Sequence, residues 1–379
     1  MPMYFNQLAA KSLLLIGLAL GMVGCSRAPD PQDDIPLFKT FIAENIDKVS
    51  DDPYISSTVK PGDKMYEFLV ELQHGMVHKE TYEPLIQNGD SESKLWYARL
   101  SMYDTPIVGQ VYKWIREAML EGNPYAALEL SEQGEFCHVY GKDSASNSLL
   151  NMMGADTSYT SDVCSEKYFT KAVKGFEKLA AEGDLRAQYF LLKQKHWDKS
   201  KETRADYIHE IIRFAEAHYY QPLMDYVDTI LYYSKETKRK MSNSKEQYDL
   251  AIQLLTIASN NNYIPAIESL INIAPKLEKD ATLYLNLLKL GSPEYYASRF
   301  YKFEDEYSEK DKVCFAFAYE KITGSDTKFF IWLNNESQKF RRQGILEERT
   351  GCSLKKATDA MVYIDGFTSR DDWRDRGGS

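Results

Sequence analysis

A short junction between helices recurs along this sequence and constrains the fold more than any other feature. In each copy a helix ends in small or apolar residues, Gly or Asn follows, and a new helix begins a few residues later. Gly and Asn take the left-handed conformation that ends a helix, and Ala lets two helices approach closely. The clearest copies span residues 118–127, 179–189 and 257–266, and weaker ones lie near 88–90, 217–220 and 289–293.

This junction predicts helices arranged in pairs. Tyr219 stands at the turn position of one weak copy. The residues predicted to form the other turns and close helix contacts are Gly89, Gly122, Ala180, Gly183, Ala187, Asn262, Ala266 and Gly291.

The segments between the junctions have helical periodicity. From Tyr168 to Glu182, apolar residues recur at steps of three and four, which is typical of an amphipathic helix. Ser244 and Gln247 have the spacing of a capping box at the start of another helix. Because alternating strand patterns are missing, the sequence predicts an all-α chain.

One copy of the junction carries a family resemblance. Ala180, Ala181, Gly183, Ala187 and Leu191 match the small and apolar positions of the Sel1-like repeat, a tetratricopeptide-related pair of helices. The steps between junctions are roughly 30 to 43 residues, with one double step. The resemblance implies a right-handed α/α solenoid of degenerate repeats over residues 36–323 and a C-terminal helical cap with a polar tail over 324–379. A non-repetitive helical bundle is the alternative.

Residues 1–24 are typical of an export signal. Lys11 precedes an apolar run from Leu13 to Val23, which has the length of a signal-peptide core and is too short to span a bilayer. The run ends in Met22-Val23-Gly24-Cys25, which resembles the lipobox of bacterial lipoproteins. That resemblance implies cleavage before Cys25 and attachment of lipid, including palmitate-type acyl chains, to this cysteine. An ordinary secretory signal is the alternative.

The residues after Cys25 predict the anchor and its location. Residues 25–35 are polar and contain prolines, so they are expected to form a lipid-anchored flexible linker. Ser26, in place of the aspartate that retains lipoproteins at the inner membrane, implies by the same resemblance an outer-membrane lipoprotein facing the periplasm. Anchoring at the inner membrane and exposure on the cell surface are the alternatives.

Four further cysteines fit an oxidising compartment: Cys137, Cys164, Cys314 and Cys352. Of the three possible connectivities we favour the most local, Cys137 with Cys164 and Cys314 with Cys352, because each clips two successive helices together. Zinc binding is the rival interpretation, but the C-x-x-C spacing of structural zinc sites is absent.

Motifs that indicate catalysis are missing. The sequence lacks the G-x-S-x-G elbow and the glycine-rich nucleotide-binding motifs. His74 and His78 stand four residues apart, but no glutamate lies between them to serve as the general base of a zincin, so we interpret them as half-exposed helix residues. We therefore expect no enzyme activity, no cofactor and no metal.

Charge and aromatic content favour a protein partner. The formal net charge of −10 argues against nucleic acid and is compatible with a basic protein partner, although acidity also serves solubility. The 27 tyrosines suit both protein contacts and packing between helices.

Exported Sel1-like lipoproteins resemble immunity proteins that neutralise antibacterial effectors, including lipases and phospholipases, in the periplasm. That resemblance implies a repeat surface that covers a toxin. An envelope scaffold or signalling adaptor for an endogenous partner is the alternative, and a cell-wall enzyme is a third.

Overall fold

A computed structural model describes residues 29–74, 77, 79–87, 89–231, 244–273, 281–301, 307–323, 331–345 and 360–364. Over these residues the regular secondary structure consists of α-helices and short 3-10 turns, which confirms the all-α prediction. In chain order the helices are α1 (Pro31–Asn45), α2 (Tyr66–Gln73), α3 (Lys79–Gln87), α4 (Ser91–Leu100), α5 (Val108–Leu120), α6 (Pro124–Leu130), α7 (Glu135–Tyr140), α8 (Ala145–Met152), α9 (Glu166–Ala181), α10 (Leu185–Gln194), α11 (Lys201–Glu216), α12 (Gln221–Leu231), α13 (Lys245–Asn260), α14 (Ile264–Ile273), α15 (Ala281–Lys289), α16 (Glu294–Tyr301), α17 (Glu309–Thr323) and α18 (Ile331–Arg342).

The turn between α9 and α10 has the hydrogen bonds of a Schellman motif. Gly183 has a φ of +97°, and its amide donates to the carbonyl of Ala180 over 3.1 Å. The next amide donates to the carbonyl of Leu179 over 3.0 Å. This pair of bonds satisfies carbonyls that the end of the helix would otherwise leave free.

The same geometry recurs at the other junctions. Both bonds and a positive φ are present at Gly122, His218, Asn262 and Gly291. Gly89 also has a positive φ, of +65°. The sequence placed one turn at Tyr219, and this was wrong by one residue. His218 takes the left-handed conformation there. Tyr219 is the residue after the turn, and its amide donates to the carbonyl of Phe214 over 3.0 Å.

Replacing His218 by glycine is expected to raise the free energy of unfolding by about 1 kcal/mol, because a left-handed conformation strains any residue with a Cβ. Urea unfolding of the variant measures the change. The matched control is His209→Gly at an exposed position inside α11, where the same substitution should lower stability by about 1 kcal/mol. A loss of stability in His218→Gly would show that the ring's contact with Tyr220 outweighs the backbone strain.

Polar side chains begin several helices. Asp184 accepts a hydrogen bond from the amide of Ala187 over 3.0 Å, and Asn123 and Asp90 cap their helices in the same way. The capping box between Ser244 and Gln247 is confirmed in both directions. These caps fix where α4, α6, α10 and α13 start.

Small residues let neighbouring helices approach. Ala187 and Ala266, predicted at close helix contacts, are fully buried. At Gly175 in α9, a Cβ would lie only 2.6 Å from the Cβ of Pro124 at the start of α6. Helices α6 and α9 therefore touch directly, although residues 131–165 separate them in sequence.

Residues 131–165 form an insertion between two helix pairs, which we call the stapled insertion. It carries α7 and α8, and it accounts for the double step between the junctions at Gly122 and Gly183. Since α6 packs on α9, the stacking of pairs continues past the insertion.

Helix α1 begins at Pro31, inside the segment 25–35 that was predicted to be a flexible linker. The linker was expected to run to residue 35, but Asp30 caps the helix by accepting from the amide of Gln32, and Pro31 fits the first helical position. Phe38 and Phe41 are buried in the core that α11, α12 and α13 share. Burial of this apolar face explains why the polar-looking segment from Pro31 is helical.

The loop after α1 is tied to the turn between α13 and α14. The Asn262 side-chain amide donates to the carbonyls of Ser50 and Asp52, each over 2.9 Å. The Ser56 hydroxyl donates to the carbonyl of Asn261 over 2.7 Å. These bonds join parts of the chain that are more than 200 residues apart in sequence.

The sequence predicts a helical cap with a polar tail over residues 324–379. In that range the described residues form α18 and the segment 360–364, which is non-helical and lies against α2. The Thr58 amide donates to the carbonyl of Val362 over 2.8 Å, and the Gln73 amide nitrogen donates to the carbonyl of Met361 over 2.9 Å. A short apolar segment therefore returns to the N-terminal part of the chain.

Much of the tyrosine content serves packing. Tyr220, Tyr226, Tyr263 and Tyr284 are buried in the core formed around α11 to α15. Aromatic rings of this size fill the gaps between helices of adjacent pairs.

Candidate protein-interaction surface

Helix α1 covers part of the surface formed by α11 and α13. Asp34 is only 1% exposed, and two nitrogens of Arg204 bind its carboxylate at 2.6 and 3.0 Å. The Tyr226 hydroxyl donates to the same carboxylate over 3.0 Å. Because these bonds satisfy a charge that burial would otherwise penalise, α1 is an integral part of the core. A partner that bound to the covered faces of α11 and α13 would have to displace it.

The stapled insertion is held together by the first predicted cysteine pair. Cys137 and Cys164 form a disulfide with a Cα–Cα distance of 5.1 Å. Cys314 is also disulfide-bonded. Its predicted partner Cys352 lies outside the described residues, as do the lipidation candidate Cys25 and His78.

Close backbone packing rigidifies the insertion around this disulfide. A Cβ on Gly141 would lie 2.5 Å from the carbonyl oxygen of Cys137 and 2.6 Å from the sulfur of Cys164. The Cys164 amide donates to the carbonyl of Leu130 over 2.8 Å, and the Tyr140 hydroxyl donates to the carbonyl of Met102 over 2.6 Å. These contacts join the insertion to α6 and to the end of α4.

A second set of contacts joins the insertion to α5 and α9. The hydroxyls of Tyr112 and Tyr168 both donate to the carboxylate of Asp162, over 2.9 and 2.6 Å. Lys167 pairs with the other oxygen of the same carboxylate at 3.0 Å. The insertion is therefore anchored on both sides to the neighbouring helix pairs.

Reducing the disulfide should destabilise the protein. For the closed loop of 27 residues, the chain-entropy model gives about 3.5 kcal/mol for the double variant Cys137→Ser/Cys164→Ser. The free energy of unfolding in urea, compared with that of wild type under non-reducing conditions, measures the loss. Ser165→Ala, beside Cys164, is the matched control, because the Ser165 side chain makes no capping bond. A loss below about 1 kcal/mol would mean that the surrounding contacts hold the insertion without the covalent link.

Helix α8 presents an exposed apolar face from this rigid base. Leu149, Met152 and Met153 are 52%, 85% and 70% exposed, and their spacing places them on one side of the helix. Leu150 and Asn147 on the opposite side are buried. The other described methionines are all buried: Met65, Met102, Met119, Met224 and Met361. We call Leu149, Met152 and Met153 the α8 face.

Sequence reasoning missed the α8 face. The signal was available in two places: the extra residues between the junctions at Gly122 and Gly183, and the adjacent pair Met152-Met153 in a segment rich in Ser and Asn. Insertions in helical arrays often carry the binding surface. Periodicity alone does not show which face of a short helix is left uncovered.

Of the predicted histidine pair, only His74 lies within the described residues, and it is not at the surface. His74 is buried, not half-exposed, and its Nε2 has no hydrogen-bond partner among the described residues. Burial lowers the pKa of His74 to about 4, although a hydrogen bond to the backbone of Gly291 opposes this shift. The folded protein therefore keeps this imidazole uncharged, and the ring links α2 to the turn between α15 and α16.

Glu268, a partly buried residue of α14, contacts the same turn. Burial raises the pKa of Glu268 to about 8, and the neighbouring charge of Glu294 acts in the same direction. The Ser292 hydroxyl donates to Glu268 over 2.9 Å. These groups link α14 to the turn between α15 and α16.

Among the described residues, no three His, Cys, Asp or Glu side chains are grouped so that they could hold a metal ion. None of the described helices combines the length and the apolar character needed to cross a membrane. No protein-family model, curated protein or solved structure matches the chain. Over the described residues, the chain is an all-α protein in which the stapled insertion separates α6 from α9.

Proposed function

We propose that the chain is a lipid-anchored envelope protein that binds another protein. In this proposal Cys25 carries the lipid, the body faces the periplasm from the outer membrane, and the helix pairs form a right-handed solenoid of degenerate Sel1-like repeats. The partner is an antibacterial effector, in particular a lipase or phospholipase, and the chain acts as its immunity protein.

The observation that carries the proposal is the exposed α8 face on a rigid insertion. Exposed apolar clusters on a folded protein are typical of interaction sites, and Met is enriched in protein interfaces. The regular turns at Gly122, Gly183 and Asn262 support the repeat assignment, because each has the same pair of hydrogen bonds. Binding would act by steric cover of the effector and needs no catalytic group.

The experiment is affinity purification of the tagged full chain from envelopes of its own strain, after contact with culture of competing cells, followed by mass spectrometry. Stoichiometric co-purification of one secreted effector, together with sensitivity of a deletion strain to it, supports the immunity role. Co-purification of resident envelope proteins alone contradicts the immunity role and favours the scaffold or adaptor role. Incorporation of labelled palmitate by wild type and not by Cys25→Ser tests the anchor.

A further inference from the structure

The α8 face differs from every other exposed apolar position in the described part of the chain. Val49, Leu120 and Leu285 are also exposed, but each is isolated in sequence from other exposed apolar side chains. Leu149, Met152 and Met153 lie within one helical turn of each other. Flexible, polarizable Met side chains adapt to differently shaped apolar partners.

The surroundings of the α8 face are acidic. Within the stapled insertion, Glu132, Asp143 and Asp156 are exposed and Glu135 is partly exposed, while Asp162 is already paired with Lys167. Lys142 is the only Lys or Arg in the insertion. The excess of carboxylates attracts a cationic surface and repels an anionic one.

The acidic charge around the α8 face distinguishes between three kinds of molecule that could cover it: a second copy of the chain, an anionic membrane surface and a basic protein segment. A second copy of the chain would bring two acidic insertions together, and an anionic membrane surface would meet the same repulsion. A basic protein segment gains attraction from the carboxylates and burial of apolar surface from the methionines. The disulfide and the backbone contacts at Gly141 already order the stapled insertion. Binding to the α8 face therefore costs little conformational entropy in this segment.

We infer that the α8 face is the docking site for a cationic protein segment that inserts apolar side chains among Leu149, Met152 and Met153. This inference rests on the proposed function, since it names the surface and the chemistry of the bound protein. The carboxylates of Asp143 and Asp156 flank the site and select Lys or Arg on the partner.

The test uses a defined probe, a synthetic 14-residue amphipathic helical peptide of leucines and lysines, titrated into the detergent-purified full chain near physiological salt. Binding to detergent alone is measured and subtracted. We expect the double variant Met152→Gln/Met153→Gln to bind the peptide at least tenfold more weakly than wild type. Leu120→Gln, at an equally exposed position outside the insertion, should bind as wild type does. A peptide with glutamates in place of the lysines should bind at least tenfold more weakly than the lysine peptide.

Methionine oxidation provides an independent readout on the unaltered chain. Hydrogen peroxide should oxidise Met152 and Met153 well before the buried Met102, Met119 and Met361, as followed by peptide mass spectrometry. Saturating lysine peptide should slow oxidation of the two exposed methionines at least threefold. Unchanged oxidation rates in the presence of bound peptide would place the peptide elsewhere and overturn the inference.

Other outcomes overturn it in distinct ways. Equal affinity of wild type and the double variant excludes the α8 face, and equal affinity for the glutamate peptide excludes the cationic partner. A wild-type dimer that the double variant loses would identify a second copy as the occupant. Binding of phosphatidylglycerol vesicles that depends on Met152 and Met153 would identify lipid.

The experiments distinguish a failure of the inferred docking site from a failure of the proposed function. If an envelope partner co-purifies equally with wild type and with the double variant, protein binding stands and the α8 face is not its site. If no protein co-purifies with wild type, the proposed function fails, and the peptide titration still decides what the α8 face binds.

Discussion

Replacing Arg204 by methionine is expected to lower the free energy of unfolding by about 3 to 5 kcal/mol. The substitution leaves the carboxylate of Asp34 buried with only the Tyr226 hydroxyl as a described partner. A buried charge that loses its counter-charge bears its full desolvation cost, which exceeds the cost of the lost packing. Urea unfolding followed by circular dichroism measures the change.

Two variants control this result. Asp34→Asn combined with Arg204→Met removes both charges and should recover most of the loss, since no unpaired ion remains. Lys178→Met breaks an ion pair between Lys178 and Glu182, whose side chains are 77% and 59% exposed, and should cost no more than about 0.5 kcal/mol. A loss below about 1 kcal/mol in Arg204→Met would mean that α1 leaves the core easily. The surface of α11 and α13 would then be open to a partner.

Replacing Val362 by aspartate should also lower the free energy of unfolding by at least about 3 kcal/mol. Val362 is fully buried against Phe68 and its neighbours in the core of α2. An aspartate there would have to stay ionised among apolar side chains or take up a proton, and either state lowers stability because the carboxyl loses its hydration. The predicted effect is the loss of the link between α2 and residues 360–364.

The matched control is Val49→Asp, the same substitution at a valine that is 71% exposed. It should change stability by no more than about 0.5 kcal/mol. Differential scanning calorimetry of both variants measures the comparison, and limited proteolysis shows whether the C-terminal segment becomes cleavable in Val362→Asp. Equal stability of the two variants would contradict the placement of residues 360–364 against α2.

The two segments altered in these predictions, α1 and residues 360–364, both connect helices that are far apart in sequence. Helix α1 joins α11 to α13, and residues 360–364 join α2 to the carbonyl of Leu290 through the amide of Met361 at 3.1 Å. Helix α2 also contacts Trp96 of α4 through Phe68, with ring centroids 6.1 Å apart. Helix α2 therefore contacts both α4 and, through residues 360–364, the turn after α15.

Local sequence patterns were sufficient to predict several turns and helix caps. The positive φ at Gly122 and Gly183 follows from Gly after a helix, because a residue without a Cβ takes that conformation at no cost. The capping box at Ser244 was predictable for the same reason, since its bonds join residues three apart. The turn at His218 was misplaced because no Gly or Asn marks it.

The positions of α1, His74, residues 360–364 and the α8 face depend on contacts between distant parts of the chain. The bonds between Asp34 and Arg204 join residues 170 apart, and those between Thr58 and Val362 join residues 304 apart. Such contacts depend on burial, which is a property of the packed array and leaves no periodic signal in a short segment. For the same reason no sequence pattern shows that Met152 and Met153 are exposed while Leu150 of the same helix is buried.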